Sequence, residues 1–327
     1  MYLAPLSNPT LIKELFNKYG VVGVTDVLSQ EECEETIHDI ENIVKLETGN
    51  NLFSINNINT YDLASSCLNR YGSVGKRALF TKTLLKNRTH KNVRKAYSIV
   101  YGLDESELVC QHDRVGWMRP TIADDGSLLE KYNTHYNKPG LHLDIDPKGY
   151  YDPSYRNAVD NFLSSLNYID TSEFISENGA KNITMGLQLQ GVLNLFDNQE
   201  DDGGFQCIPG GHNELKNWYE ESKNYFKNPV PNGNYFYNLE RKEDRKYSAN
   251  ATRIPCPAGT LIIFDATLPH GTKPNHSNKN RMIQYIRYMP KSSFPKNVYK
   301  KRNSIIEKIC KEVNFDPLDE EKTVLYL

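Results

Sequence analysis

Hydrophobic positions change their spacing along this 327-residue chain, from a helical period near the N-terminus to a strand period after residue 107. Leu11, Leu15 and Phe16 recur at helical intervals, and Gly20 supplies the usual helical stop. Val21-Val22-Gly23-Val24 then reads as a short β-branched strand. Ser29, with Glu32 three residues on, forms a capping box ahead of a helix carrying Cys33, Ile37, Ile40 and Val44. Residues 47–76, rich in Asn, Gly and Ser, predict loop with a short helix. One helix is predicted from Thr81 to Val100, with Leu84, Leu85, Val93 and Ile99 inward.

From Leu108 the pattern alternates. Leu108–Gln111, Asp113–Pro120, the stretch Gly140-Leu141-His142-Leu143-Asp144-Ile145-Asp146, Thr184–Phe196, Phe205–Ile208, Leu261–Asp265 and Arg281–Tyr288 are the predicted strands. A polar hairpin is expected at Ala123–Ser127, and Lys300–Val313 predicts a closing helix. Regular strand–helix alternation is missing, which argues against a parallel sheet. The prediction is a mainly β protein with helical additions (α+β): a double-stranded β-helix, the jelly-roll or cupin-like barrel, with N-terminal supporting helices. No repeat or low-complexity linker divides the chain, so a single domain over 1–327 is expected. It comprises an N-terminal support (1–107), a core (108–290) with insertions at 147–180 and 213–251, and a C-terminal helix and tail (291–327).

Composition narrows the function classes. Net charge is −2, so no overall field recruits nucleic acid or an anionic membrane, and nucleic acid is disfavoured as a partner. Lys86, Arg88, Lys91, Arg94, Lys95 and, later, Lys296, Lys300, Lys301 and Arg302 read as solvated helix faces, with an anionic carrier as the minority reading. No apolar run approaches the ~20 residues that span a bilayer. Six scattered cysteines without a Cys-x-x-Cys pair, and no leader-like opening over 1–17, predict free thiols and a cytoplasmic location. Oligomeric state is not legible.

The chemistry lies where strands end. In an extended strand His142 and Asp144 share one face, with Leu143 and Ile145 on the other. A second imidazole, His270, follows the buried strand Leu261–Asp265. Two histidines and one carboxylate make a facial triad that leaves metal positions open and suits non-heme Fe(II). Arg281, on the next strand, carries a guanidinium able to grip a carboxylate through two parallel hydrogen bonds. Asp146 shares parity with His142 and is the rival carboxylate; Arg287 shares parity with Arg281 and is the rival guanidinium. His212 reads as structural or as a support behind the ligands rather than a ligand, His135 as a loop residue, and His38, His90 and His112 carry no partner signal. Trp117, Arg119 and Gln188 are candidate pocket residues, with core packing as the competing reading. The two insertions are candidates for a substrate lid or for plain surface loops.

His142-x-Asp144, His270-Gly271-Thr272 and Arg281 resemble the Fe(II)/2-oxoglutarate-dependent dioxygenases, and among them the phytanoyl-CoA dioxygenase-like family. Gly203–His212 resembles that family's segment ending Pro-Gly-Ser-His, with Gly211 in place of the usual Ser, and Tyr19–Val24 with Leu28–Cys33 resembles its opening. The likeness covers about residues 15–290. It implies that His142, Asp144 and His270 bind Fe(II), that Arg281 clamps the distal carboxylate of the co-substrate 2-oxoglutarate, and that Thr272 assists. It further implies hydroxylation of a small molecule by O2 with release of succinate and CO2, stimulated by ascorbate; Asp144 disfavours the halogenating members. The substrate is not implied. Two other readings stay open: a jelly-roll binding protein with an inactive site, and a protein- or nucleic-acid-modifying oxygenase.

Overall fold

A computed structural model describes residues 2–69, 72–75, 78–129, 132, 140–165 (backbone only from 162) and 186–224, then 237–327. His135, residues 166–180, Thr184, Met185 and Tyr225, on which some expectations fell, lie outside the described residues. The first half supplies strands β1 (Leu3–Pro5), β2 (Val21–Thr25), β3 (Ser73–Val74), β4 (Leu108–Gln111), β5 (Val115–Met118) and β6 (His142–Leu143). Strands β7 (Leu189–Asn194), β8 (Gly204–Cys207), β9 (Tyr237–Asn238) and β10 (Thr252–Arg253) follow. The last are β11 (Leu261–Asp265), β12 (His270–Lys273), β13 (Arg281–Tyr285) and β14 (Arg287–Pro290). The longer helices are α1 (Pro9–Tyr19), α2 (Gln30–Thr48), α3 (Lys82–Thr89) and α4 (Lys91–Tyr101), then α5 (Pro147–Tyr151), α6 (Pro153–Ser165) and α7 (Gly211–Ser222), and finally α8 (Lys296–Glu312) and α9 (Asp319–Leu325).

Two sheets face each other, a seven-stranded one ordered β1-β2-β11-β7-β13-β5-β3 and a five-stranded one ordered β10-β8-β12-β6-β9. Among the described residues only β1 and β2 pair in parallel. This is the expected double-stranded β-helix. Period-two alternation decides what each strand buries. On the large sheet Val192, Ile262, Phe264 and Ile283 turn inward and meet Phe205 and Cys207 of the small sheet. Their neighbours Leu193, Leu261, Ile263 and Met282 turn outward into the cluster shared with Ile12, Ile40, Leu84 and Val93 of the helices. Burying each such side chain stabilises by about 1.5–3 kcal/mol. Leu141 and Leu143 pack on the outer face of the small sheet with Ile208, Leu215 and Trp218, so His142 between them points into the barrel.

Ser29 and Glu32 form the expected capping box on α2. Three expectations change. The helix over Thr81–Val100 is two helices, because His90 leaves the helical region with φ −57° and ψ 134° and caps α4 itself, its Nδ1 accepting from Asn92 N at 3.3 Å. Thr89 just before His90 turns its hydroxyl back to the Leu85 carbonyl at 3.1 Å, a local hydrogen bond of the kind that competes with continued helix. The strand over Arg281–Tyr288 breaks at Ile286, sending Arg287 into a separate ladder with β4. The closing helix begins at Lys296 rather than Lys300. Among the described residues no helix is long and apolar enough to cross a membrane.

His112 is fully buried near the guanidiniums of Arg88 and Arg302, and its ring lies 5.1 Å from that of Phe80. Burial first, and those two charges second, hold its pKa well below the usual histidine value. The unfolded chain takes up a proton here as pH falls below about 6.5, whereas the folded chain does not. Stability is therefore fully present above that value and declines below it, by up to ~1.4 kcal/mol per pH unit. Urea midpoints measured from pH 7 to pH 5 are expected to fall, and His112→Phe is expected to flatten the slope.

Candidate metal centre

Strands β6 and β12 are antiparallel neighbours, and their register sets His270 directly opposite His142. The two imidazole rings are 4.5 Å apart. Asp144 lies beyond the two-residue strand β6, in a bend, so the strand extends less far than expected. Its Oδ1 nevertheless reaches to 3.5 Å from His142 Nε2. One ligand atom from each of His142, Asp144 and His270 lies within 4.8 Å of the other two.

Backbone carbonyls orient both histidines in the same way. His142 Nδ1 is 2.9 Å from the carbonyl oxygen of Gly140, and His270 Nδ1 is 2.9 Å from that of Leu268. A carbonyl only accepts, so each Nδ1 carries the hydrogen and each neutral ring keeps its Nε2 lone pair for something else. In His142 that lone pair faces a carboxylate oxygen. Two acceptors so close need a cation between them, either a proton or a metal. This is the second-sphere device by which metal-binding histidines are fixed in tautomer and orientation.

Electrostatics divide the three groups. Burial pushes His142 toward neutrality, but the hydrogen bond and charge of Asp144 outweigh it, and the net pKa is raised. Burial, and then the charge of His142, take His270 down to about 4, with Asp144 opposing. Burial raises Asp144, yet its His142 hydrogen bond, the charges of His270 and His142, and the Gln190 amide together hold it well below the usual carboxylate range. The carboxylate is therefore a permanent anion beside one neutral imidazole. Phe205 and Phe264 wall the His270 ring, with ring centres 6.1 and 4.5 Å away.

Gln190 had no place among the sequence candidates. It sits on β7 with the inward parity of Val192 and donates from Nε2 to Asp144 Oδ2. The available signal was a polar residue at an inward position of an otherwise apolar strand. Gln190→Leu is expected to weaken divalent-metal affinity about 10–100-fold, the usual effect of losing such a partner. Competition titration with Mn(II) reads the change.

Arg281 opens β13, is 4% exposed, and places a guanidinium nitrogen 3.5 Å from Met118 Sδ. It pairs in register with Met118, so Met118 shares its inward face while Trp117 faces the other way. Thr272 is half-buried on β12 with the parity of His270, opposite Phe205. Trp117 lies in the outer core, its ring edge-on to Phe53 and Tyr61 and its Nε1 donating to Asn280 Oδ1 at 2.8 Å. Arg119 stacks over the Tyr132 ring at 4.2 Å. Trp117 thus faces the outer core, away from the inward face that carries Arg281. Gln188, buried just before β7, has the parity of Gln190.

The rivals are accounted for. Asp146 caps α5, its carboxylate accepting from Lys148 N at 2.9 Å, and Arg287 belongs to β14. His212 lies in the first turn of α7 so close to Gly20 that a Cβ there would meet its ring at 2.4 Å, a packing role.

Fold and cluster together define a double-stranded β-helix protein with a His-Asp-His cluster on the inner face of its small sheet. The family described as phytanoyl-CoA dioxygenase (PhyH) matches residues 181–283. A Dictyostelium discoideum protein named for the same dioxygenases is 33% identical over 301 residues, covering 90% of this chain and 80% of that one. The chain belongs to the phytanoyl-CoA dioxygenase family. In fold it is similar to the GlcNAc Inducible Gene 2 protein, GIG2 (DUF1479), of Candida albicans, with a TM-score of 0.61, 15% identity and coverage of 98% and 74% of the two chains. The hypothetical protein JW0805 of Escherichia coli gives a TM-score of 0.60 at 13% identity, covering 98% of this chain and 80% of its own.

Proposed function

We propose that this protein is a non-heme Fe(II)- and 2-oxoglutarate-dependent dioxygenase that hydroxylates a small organic substrate, consuming O2 and releasing succinate and CO2. One observation carries the reading: three metal-ligating groups far apart in sequence converge within 4.8 Å, with both Nδ1 atoms already committed to carbonyls. His142, Asp144 and His270 would hold the iron; when bound, it supplies the redox chemistry that activates O2, with ascorbate keeping it ferrous.

The rest falls to the chain's own side chains. Asp144 contributes fixed negative charge, and Gln190 holds its second oxygen in place. Phe205 and Phe264 keep water from the His270 side. Arg281 grips the distal carboxylate of 2-oxoglutarate, with the Thr272 hydroxyl on the same inward face as His270. The spacing supports this assignment. Cys207 lies opposite His270, and a Cβ on Gly204 would come within 2.7 Å of Arg281 Nε. Three strand steps separate those residues, about 10 Å at ~3.3 Å each. An extended five-carbon dicarboxylate with one polar contact at each end spans about the same length.

The test is release of succinate from 2-oxoglutarate by the purified protein with Fe(II) and ascorbate. A wild-type protein that fails to bind 2-oxoglutarate anaerobically in the presence of Mn(II) would overturn the reading.

A further inference from the structure

Arg253 lies on the edge strand β10, just after the second insertion, 5% exposed. The hydrogen-bond partners of its guanidinium are neutral oxygens, and the carboxylates of Glu200 and Asp202 act on it through charge alone. Nη1 donates to the carbonyls of Phe205 and Ile254, and Nη2 donates to Gln199 O at 3.2 Å and to Asn198 Oδ1. Its Nε is buried and has no hydrogen-bond partner among the described residues. A second buried cation stands beside it. A Cβ built on Gly204 would lie 2.6 Å from Asn198 Oδ1, 2.7 Å from Arg281 Nε and 2.9 Å from Arg253 Nη2. The two guanidinium nitrogens are thus no farther apart than the last two distances together. Gly204 adopts φ +119°, a conformation that suits glycine, and its bare backbone forms the floor beneath both groups.

Two like charges this close in a water-poor interior repel, and each bears a desolvation cost. Burial, and then the charge of Arg281, bring Arg253 down to about 10, with Cys256, Glu200 and Asp202 opposing. The pair is relieved when an anion enters. We propose that Arg253 is a positioning residue for the co-substrate: held by Asn198 and three carbonyls, it adds a second fixed positive charge behind Arg281 and makes the site select 2-oxo acids with a remote carboxylate. This rests on the 2-oxoglutarate reading above. Arg253 does not touch the co-substrate; its charge acts across Gly204.

Asn198→Asp tests this without removing the guanidinium, since it sets a carboxylate against Nη2 and cancels the charge of Arg253. Calorimetry on the anaerobic Mn(II)-loaded protein would compare 2-oxoglutarate with 2-oxopentanoate, which has a methyl group where the former has its remote carboxylate. In Asn198→Asp the dissociation constant for 2-oxoglutarate is expected to rise about tenfold, ~1.4 kcal/mol, while that for 2-oxopentanoate stays put. Arg253→Met should act in the same direction and Arg253→Lys should recover most of the affinity, with melting temperatures recorded for each. Equal weakening of both ligands would mean a packing role only, and unchanged 2-oxoglutarate binding in Asn198→Asp would remove the charge effect; either result overturns the inference. Wild-type protein that binds neither ligand overturns the underlying reading instead.

Discussion

His270→Ala is expected to abolish both metal binding and succinate release. Of the three clustered groups His270 is the most enclosed, set between the rings of Phe205 and Phe264 and opposite both His142 and Cys207. Its neutral ring offers the third lone pair of the cluster. Without it, His142 and Asp144 are left 3.5 Å apart as a salt bridge whenever His142 is protonated, which favours the proton over a metal. The loss of divalent-metal affinity should exceed about 100-fold, the upper end of what removing a second-sphere partner costs. Alanine also leaves a cavity between two aromatic rings, so the fold must be checked by thermal melting. His270→Gln keeps most of the volume and should be folded, metal-poor and inactive. If His270→Gln binds Mn(II) as the wild type does, the three groups do not form a metal site.

Much of this centre was legible because its residue types are rarely placed by packing alone. His142, flanked by Leu141 and Leu143, can point only inward once the leucines are buried, and the alternation says so before any coordinates do. Arg281 is similar: its neighbour Met282 joins the outer core, so the guanidinium turns into the barrel. What escaped notice depends on partners distant in sequence. Gln190 looks like any polar residue on a strand until Asp144, 46 positions away, comes within reach. Arg253 follows the second insertion in a stretch that no reading singled out, and its meaning comes from Asn198 and Gly204 together.

The missed breaks have the same origin. Nothing in Arg281–Tyr288 interrupts the alternation, yet Ile286 donates to Gly191 O at 3.1 Å and its own carbonyl accepts from the Tyr97 hydroxyl at 2.6 Å. Those tertiary bonds end one strand and start another, and with them Arg287 passes from β13 into β14. At His90 no glycine or proline marks the helix boundary. The break is supported by the ring of His90 capping α4 and lying 3.4 Å from Glu32 of α2.

Gly271→Ala is expected to damage the metal centre from outside it. Gly271 follows His270 on β12, so by alternation it faces away from the barrel, toward the chain entering β6. A Cβ there would lie 2.1 Å from Gly140 O and 2.7 Å from its carbonyl carbon, contacts with backbone that no rotamer change relieves. The carbonyl that must yield is the one accepting from His142 Nδ1 at 2.9 Å. Moving it turns the His142 ring, and β6 is too short, at two residues, to resist through its own ladder. Overpacking of this kind costs about 1–3 kcal/mol of stability. Metal affinity should fall about 10–100-fold, as for other lost second-sphere contacts. Gly140→Ala supplies the contrast, because among the described residues nothing lies within 4 Å of a Cβ at that position. Mn(II) titration of the two variants should therefore separate them by at least about tenfold. Equal affinities would mean that the Gly140 carbonyl does not orient His142.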